Sequence, residues 1–524
     1  MSAKTKAHSL DPQTMTQEAA SSLGDFGEIL DLLIVGGGIN GTGIARDGAG
    51  RGLSVALCEK GDLAQGTSSR SSRLIHGGLR YLEYGEFRLV REALHEREIL
   101  LSTAPHLVRP MKFVLPHVAG MRPAWMLRAG LFLYDHLAHR QRLAASTAIA
   151  LDTTPEGRAV RPELKRGFTY ADCRTDDARL VVHNALAAHQ LGAKILTYTE
   201  FVRALPQKDL WRVELRDAGS GAVRRVLARA LVNAAGPWVE SVSGDLSGVR
   251  RAHHARLVKG SHVVVAKFWD GDHGYLLQNV DRRAIFVTPY EGDLALIGTT
   301  DMAYSALPDT VAISDEEARY LCEAANRQLR CALGPRDIVY AFSGVRCLVD
   351  DEKLDPSAVT RDYLIELCAS AQHPPALIVL GGKITTYRRL AEHALGLLKP
   401  YLSNMRPAWT AQSPLPGGDL PEADFDSAQQ RFVQETPFLP AAHARGLLAR
   451  HGTTAYRLLA GVRRLDAMGR HFGAGLYERE LQHLIEHEWA RTPEDVLWRR
   501  TKFGLRLSAE QTRELTQWMA SVAV

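Results

Sequence analysis

A chain of 524 residues is too long for one ordinary hydrophobic core, so two or three domains are expected. Its 45% hydrophobic and 23% charged residues and its net charge of +5 exclude a disordered or fibrous chain. No apolar run reaches the ~18 residues that a membrane span requires, so any membrane contact is expected to be peripheral. The six cysteines, at 58, 173, 322, 331, 347 and 368, form no CxxC pair and have no histidine beside them at ligand spacing. The chain therefore reads as reduced and cytoplasmic, with no metal site.

Residues 1–29 are polar, with Asp11, Glu18, Asp25 and Glu28, and contain neither arginine nor an apolar stretch. They read as a disordered extension, not as a secretory signal or transit peptide. The next stretch, LLIVGGGINGTGIA (residues 32–45), runs from four apolar residues into five glycines within eight positions. Residues 32–35 read as a buried parallel strand. Gly36, Gly38 and Gly41 form G-x-G-x-x-G, and residues 44–50 continue as a helix. A second strand, residues 53–60, ends at Glu59, 18 residues after Gly41, close to the ~20 of a dinucleotide-binding unit. Gly36 permits the tight turn, Gly38 lets the main chain approach a pyrophosphate, and Gly41 lets helix and strand pack closely. The helix N-terminus offers N–H donors and partial positive charge, and Glu59 can accept hydrogen bonds from ribose hydroxyls. The motif alone does not separate NAD from FAD.

Residues 66–100 begin with the hydroxyls Thr67, Ser68, Ser69, Ser71 and Ser72, which can wrap phosphates and sugar. His76, Gly77, Gly78, Arg80 and Tyr81 follow, and the paired glycines point to close approach of something flat. From Gly85 the pattern turns helical, with Phe87, Val90, Leu94 and Leu101 on one face. Residues 70–142 carry 12 Lys/Arg against 6 Asp/Glu, so the remainder of the chain is close to neutral. Within them, residues 122–140 make an amphipathic helix with Arg128 and Asp135 on one face and Trp125, Met126, Leu131, Phe132, Leu133 and Leu137 over a wider apolar arc. An interfacial helix on an anionic membrane and an ordinary core helix are both open readings.

Residues 176–200 read as helix, glycine turn and strand. Residues 228–240 read as strand, a turn through Ala234, Ala235 and Gly236, then proline at a helix start. Both return to the nucleotide-binding part. The segments GSHVVVAKF, AIFVTPYEGDLALIGTTD and DIVYAFSGVRCLVD alternate and are rich in Val, Ile, Phe and Tyr, as in an antiparallel sheet. Residues 374–398 read as strand, Gly-Gly-Lys and helix. The remainder, from about 415, has helical periodicity and no strand signals.

Taken together, VGGGINGTGIA, TSSRSSRLIHGGLRYLE, LVNAAGPWV, KGSHVVV, IGTTD, SGVR and GGKITTYR closely resemble the bacterial aerobic, FAD-dependent glycerol-3-phosphate dehydrogenases of the D-amino-acid-oxidase-like flavoprotein superfamily. The resemblance runs from about residue 31 to the C-terminus. The mitochondrial enzymes' calcium-binding extension has no counterpart, because no D-x-D-x-D-G-x5-E loop is present. The resemblance implies a Rossmann-like FAD-binding domain (31–80, 165–245 and 345–412) interleaved with an antiparallel-sheet substrate domain (81–164 and 246–344). A helical C-terminal domain (413–524) completes the chain, after the disordered extension at 1–30.

The resemblance also implies non-covalent FAD and oxidation of sn-glycerol 3-phosphate to dihydroxyacetone phosphate by hydride transfer to flavin N5. Electrons then pass to ubiquinone or another membrane quinone, from a protein bound peripherally to the inner face of the cytoplasmic membrane. Arg80, Arg346 and Arg361 fall at anion-binding positions, where a planar guanidinium fork suits a phosphate. His262 is the candidate base. His76 is a rival whose glycine neighbours favour flavin packing. Tyr81 is a substrate hydrogen-bonding candidate. Gly381, Gly382 and Lys383, ahead of a helix beginning near Thr385, would stabilise a reduced, anionic flavin. The flavin site would thus take in Gly36, Gly38, Gly41, Glu59, Thr67, Ser68, Ser72, His76, Gly77, Gly78, Gly236, Gly382, Lys383 and Thr385.

Three other readings compete. A glycerol-3-phosphate oxidase would reduce O2, a flavin amino-acid oxidase would need to hold a carboxylate and an amine, and a silent membrane-associated flavoprotein would serve as a scaffold. Nucleic-acid binding has no recognisable module, and a homodimer is left open.

Overall fold

The computed structural model describes residues 28–118, 120–281, 283–350 and 362–522. The expectation for residues 1–27 and the anion-binding position Arg361 lie outside the described residues.

The first sheet is built on Leu30–Val35, an apolar strand buried on both faces. It pairs in parallel with Val55–Cys58 on one side and Val223–Asn233 on the other. Lys194–Leu196 extends the sheet beyond the first neighbour, and His373–Leu380 beyond the second, again in parallel. Leu364–Ser370 closes the edge antiparallel. The helices Ile39–Gly50, Asp177–Gln190 and Tyr387–Leu398 cover one face, burying Ile44, Leu180 and Leu390 with Leu32 and Ile34. A meander of Thr199–Gln207 and Leu210–Asp217, paired antiparallel with Val223–Asn233, covers the other face around Trp211. Double coverage explains the unbroken apolar run LLIV. The chain leaves Leu30–Val35 toward one side of the sheet and later returns on its other side. The carboxyl end of that strand is therefore the crevice where open α/β sheets take ligands.

Among the described residues the second sheet has ten strands. Ala255–Ala266 pairs antiparallel with Leu294–Gly298 and Ile338–Val349, and Gly274–Gln278 with Ala284–Tyr290. One junction departs from the antiparallel expectation: Gly274–Gln278 runs parallel to Val108–Pro116. The next strand, Arg166–Thr175, pairs with Val108–Pro116, so it belongs to this sheet and not to the nucleotide-binding part. Helix Asp315–Gln328 packs Leu321 and Ala325 on one face. Helices Phe87–Thr103 and Ala124–His136 pack Val90, Leu94 and Leu131 on the other.

The C-terminal part holds Phe425–Glu435, Ala441–His451, Glu478–Glu488 and Ala509–Val522. It also contains a small hairpin, His471–Gly473 with Leu476–Tyr477, where no strand was expected. Strands of three and two residues are too short to carry a period-2 signal, and their turn rests on Gly473 and Gly475 with φ of +111° and +87°. Buried ion pairs dock this part onto the first sheet. Arg500 grips Asp62 with both nitrogens at 2.7 and 2.8 Å, Arg499 joins the same carboxylate, and Arg179 holds Glu488.

Candidate active site

A cavity of about 600 Å³ opens at the carboxyl end of Leu30–Val35 and runs between the two sheets. Its floor is the glycine turn. Gly36 has φ of +114°, and a Cβ there would come within 2.5 Å of the Ala234 carbonyl oxygen; a Cβ on Gly41 would come within 2.0 Å of the Gly36 oxygen. Gly36 and Gly38 line the cavity, whereas Gly41 lies behind them as the helix–strand spacer. The N-terminus of helix Ile39–Gly50 faces the cavity, and Ser68 Oγ accepts from the Ile39 N–H at 3.0 Å.

Glu59 lines the same end. Its oxygens accept from Gly37 N–H at 2.7 Å and Gly61 N–H at 2.9 Å. Burial raises its pKa against the pull of these two donors. Thr67, Ser72 and Gly236 also line the cavity; Thr67 donates to the Val345 carbonyl, tying the hydroxyl loop to the second sheet.

At the far end His262, Arg346, Lys383, Tyr81 and His76 meet around one space, although they are spread over some 300 positions of sequence. His262 is buried, stacks on Phe342 at 5.0 Å, and its Nε2 lies 2.9 Å from Ser72 Oγ. A side chain at Gly298 would collide with the imidazole. Burial, then the charges of Arg346 and Arg73, push its pKa down to about 3, so the ring is neutral at neutral pH. Arg346 donates through Nη2 to the Thr300 carbonyl at 3.0 Å and pairs with Asp301. Among the described residues Lys383 Nζ is buried without a hydrogen-bond partner, and it sits 3.9 Å from the centre of the Tyr81 ring. Asn40 Nδ2 donates to the Gly381 carbonyl at 3.1 Å and so ties the Gly-Gly-Lys turn to the first helix. His76 is lowered to about 4 by burial, with Lys383 and Arg97 adding to the effect.

Besides Gly41, four expected site residues do not line this cavity. Gly77 is bare because a Cβ would strike Leu94 and the Tyr134 hydroxyl, and Gly78 because one would strike the Tyr81 ring at φ +78°. Packing within the chain is enough to require both glycines. Thr385 is buried behind His76, whose N–H it accepts at 3.2 Å. Arg80 turns to the Tyr84 hydroxyl at 3.3 Å.

Other lining residues were not legible in the sequence. Arg70 donates to the Ser343 carbonyl at 3.0 Å. Lys60 and the Trp238 indole N–H both bind Asp309, at 2.7 and 2.8 Å, and strap the two sheets together over the Glu59 end. Trp238 follows the AAGP turn, but no local pattern announces Asp309. Elsewhere, His451, His483 and Glu488 converge at metal-ligand distances, but Arg179 already donates to Glu488 and lies 3.3 Å from His451, supplying the cation there.

The chain matches the FAD dependent oxidoreductase family over residues 31–388. This protein belongs to that family. Residues 408–523 match the C-terminal domain of alpha-glycerophosphate oxidase. The chain is 50% identical over 494 residues to a glycerol-3-phosphate dehydrogenase of Pseudomonas aeruginosa, covering 94% of this chain and 96% of that one. It is 49% identical to a D-erythritol 1-phosphate dehydrogenase of Brucella abortus, with 94% and 98% covered. The solved glycerol-3-phosphate dehydrogenase of Bacillus halodurans, complexed with FAD, superimposes with a TM-score of 0.76 at 28% identity, over 97% of this chain and 93% of that one.

FAD is thus the cofactor of this flavoprotein, and the cavity fits it. The bare turn at Gly36 and Gly38 leaves main-chain room for a diphosphate beside a helix N-terminus. Glu59 stands at one end, and Lys383, an ammonium without an acceptor among the described residues, stands at the other.

Proposed function

We propose that the protein oxidises sn-glycerol 3-phosphate to dihydroxyacetone phosphate and delivers the electrons to a membrane quinone from the inner face of the cytoplasmic membrane. The observation that carries this reading is the meeting of Arg346, neutral His262 and Lys383, which has no hydrogen-bond partner among the described residues, at one end of the dinucleotide cavity. Bound FAD supplies the two-electron acceptor. The residues supply the rest. The Arg346 guanidinium, anchored by Asp301, offers its fork to the substrate phosphate. His262 takes the C2 hydroxyl proton through Nε2, the nitrogen that Ser72 Oγ engages, while the C2 hydrogen leaves with its electron pair. Lys383 brings positive charge to the reacting end, where negative charge develops. Glu59 accepts from ribose hydroxyls, and Gly36, Gly38 and Ser68 frame the diphosphate.

Among the described residues no helix is long and apolar enough to cross a membrane. Helix Ala124–His136 exposes Trp125, Met126, Phe132 and Leu133, which supports docking on a lipid surface. The Brucella relative supports a second reading in which the substrate is a four-carbon polyol phosphate.

The test is the visible spectrum of the purified protein during anaerobic addition of each substrate. Glycerol 3-phosphate should bleach the flavin faster and at lower concentration than D-erythritol 1-phosphate. The reverse order would favour the second reading, and a spectrum unmoved by both would overturn the proposal.

A further inference from the structure

Arg109 and Arg174 face each other directly across the antiparallel strands Val108–Pro116 and Arg166–Thr175. Directly opposed residues share one face of a sheet with Cβ atoms about 5 Å apart, and like charges so placed repel. Neighbouring arginines have anions: Arg97 pairs with Asp172 at 2.6 Å, and Arg73 lies 3.8 Å from Asp177 and 3.9 Å from Glu291. Arg109 and Arg174 have none among the described residues. Among the described residues neither makes a hydrogen bond or an ion pair, and Nε of each is buried without a partner. Both side chains are only partly buried, so solvent ions can reach them.

The surroundings do not discharge the pair. Asp426, Glu291 and Asp176 act on Arg109 only through space. Asp176 is held by Lys502 at 3.0 Å, and Glu291 faces Arg73. The Arg109 guanidinium instead lies over the ring of Phe425, 4.7 Å from its centre. Phe425 opens the helix Phe425–Glu435 of the C-terminal part, so the arginines sit at the seam between that part and the second sheet.

We propose that Arg109 and Arg174 form a second oxyanion site, distinct from the cavity, which takes a phosphate-type dianion bridged between two guanidinium forks. Two planar forks with unfilled donors match tetrahedral oxygens, and a dianion cancels the repulsion that the strand register imposes. Buried donors without acceptors are rare in folded proteins, and an ion is one of the few things that answers them. With Phe425 as its third wall, the bound anion strengthens the hold of the C-terminal part on the sheet.

The experiment is equilibrium dialysis of the FAD-loaded protein against radiolabelled inorganic phosphate at fixed ionic strength, with thermal unfolding followed in parallel. One phosphate should remain bound in Arg346→Gln, in which the cavity arginine is lost, and it should be lost in Arg109→Gln/Arg174→Gln. Phosphate should raise the Tm of the wild type saturably, relative to chloride at equal ionic strength, and should not raise that of the double variant. Arg174→Lys, which keeps the charge without the fork, should weaken binding at least severalfold. If the double variant does not fold, the Arg346→Gln stoichiometry and the Arg174→Lys affinity decide. Displacement of the retained label by glycerol 3-phosphate would assign a phosphate monoester as the natural occupant; failure to displace it would assign free phosphate. A stoichiometry of zero in Arg346→Gln, or phosphate binding unchanged in the double variant, would overturn the proposal.

Discussion

A glycine can be required by its own chain whether or not it borders a ligand site. At Gly36, on the floor of the cavity, a Cβ would meet main chain; at Gly77, away from the cavity lining, it would meet Leu94 and Tyr134 in a core. Lys383 has the complementary property. Its ammonium is sheltered, has no acceptor among the described residues, and sits over the Tyr81 ring, a contact worth roughly 0.5–2 kcal/mol. Removing it should leave the glycine cradle intact. Lys383→Ala is therefore expected to purify with FAD bound but to turn over at least 10-fold more slowly. Wild-type kcat in a variant of wild-type flavin content would remove Lys383 from the chemistry.

The helix Ala124–His136 shows how an element can be read correctly as a whole and wrongly in part. Arg128 and Asp135 share a face and meet at Ser146, whose hydroxyl receives one at 2.9 Å and donates to the other at 2.6 Å. That fixes the roll of the helix. Leu131, which the periodicity places on the same apolar arc as Phe132, is 1% exposed and belongs to the core with Leu127 and Tyr134. Trp125 and Phe132 are 70% and 56% exposed. Asp at Trp125 and Phe132 should therefore release the protein from anionic liposomes in a flotation assay without lowering its Tm by more than a degree or two. Asp at Leu131 should lower Tm sharply. Undiminished flotation of the Trp125→Asp/Phe132→Asp variant would exclude this helix as the anchor.

At the scale of the molecule, the C-terminal part is held by buried charge. Asp62 is fully buried and answers both Arg499 and Arg500. Asp62→Ala removes the carboxylate that two guanidinium groups share, leaving Arg499 with Asp495 and Arg500 with the Glu488 carbonyl, and should cost up to about 3–5 kcal/mol, read as a fall in Tm or in the denaturant midpoint; a loss under 1 kcal/mol would deny the docking role. The same seam carries a pH response. Burial lowers His183 to about 3 and His483 to about 4, and holds His106 well below its ordinary 6.5. Unfolded, these rings accept protons near pH 6.5; folded, they do not. Their contribution is therefore full above pH 6.5 and is lost as pH falls, at about 1.4 kcal/mol per pH unit for each ring. Glu480 and Glu488, held low by Arg450 and Arg179, act in the same direction below about pH 4.5. Tm should be flat from pH 7.5 to 6.5 and fall steeply by pH 5; a Tm flat down to pH 5 would contradict this.

Local physics made much of this protein legible in one dimension. Strand, bare turn, helix and acid at Gly36 to Glu59 follow from backbone sterics and spacing, and the flavoprotein resemblance rests on contiguous motifs such as SSRLIHGGLRYLE and GGKITTYR. What needed the fold is everything set by long-range pairing. The register of Ala255–Ala266 against Ile338–Val349 puts Val258 opposite Arg346 and His262 opposite Phe342. A strand pairing puts Arg109 against Arg174, and a strap from Asp309 crosses to Lys60 and Trp238. Spacing along a chain encodes which way a side chain points on its own element. Which element lies opposite is decided only when the sheets close and their cores exclude water.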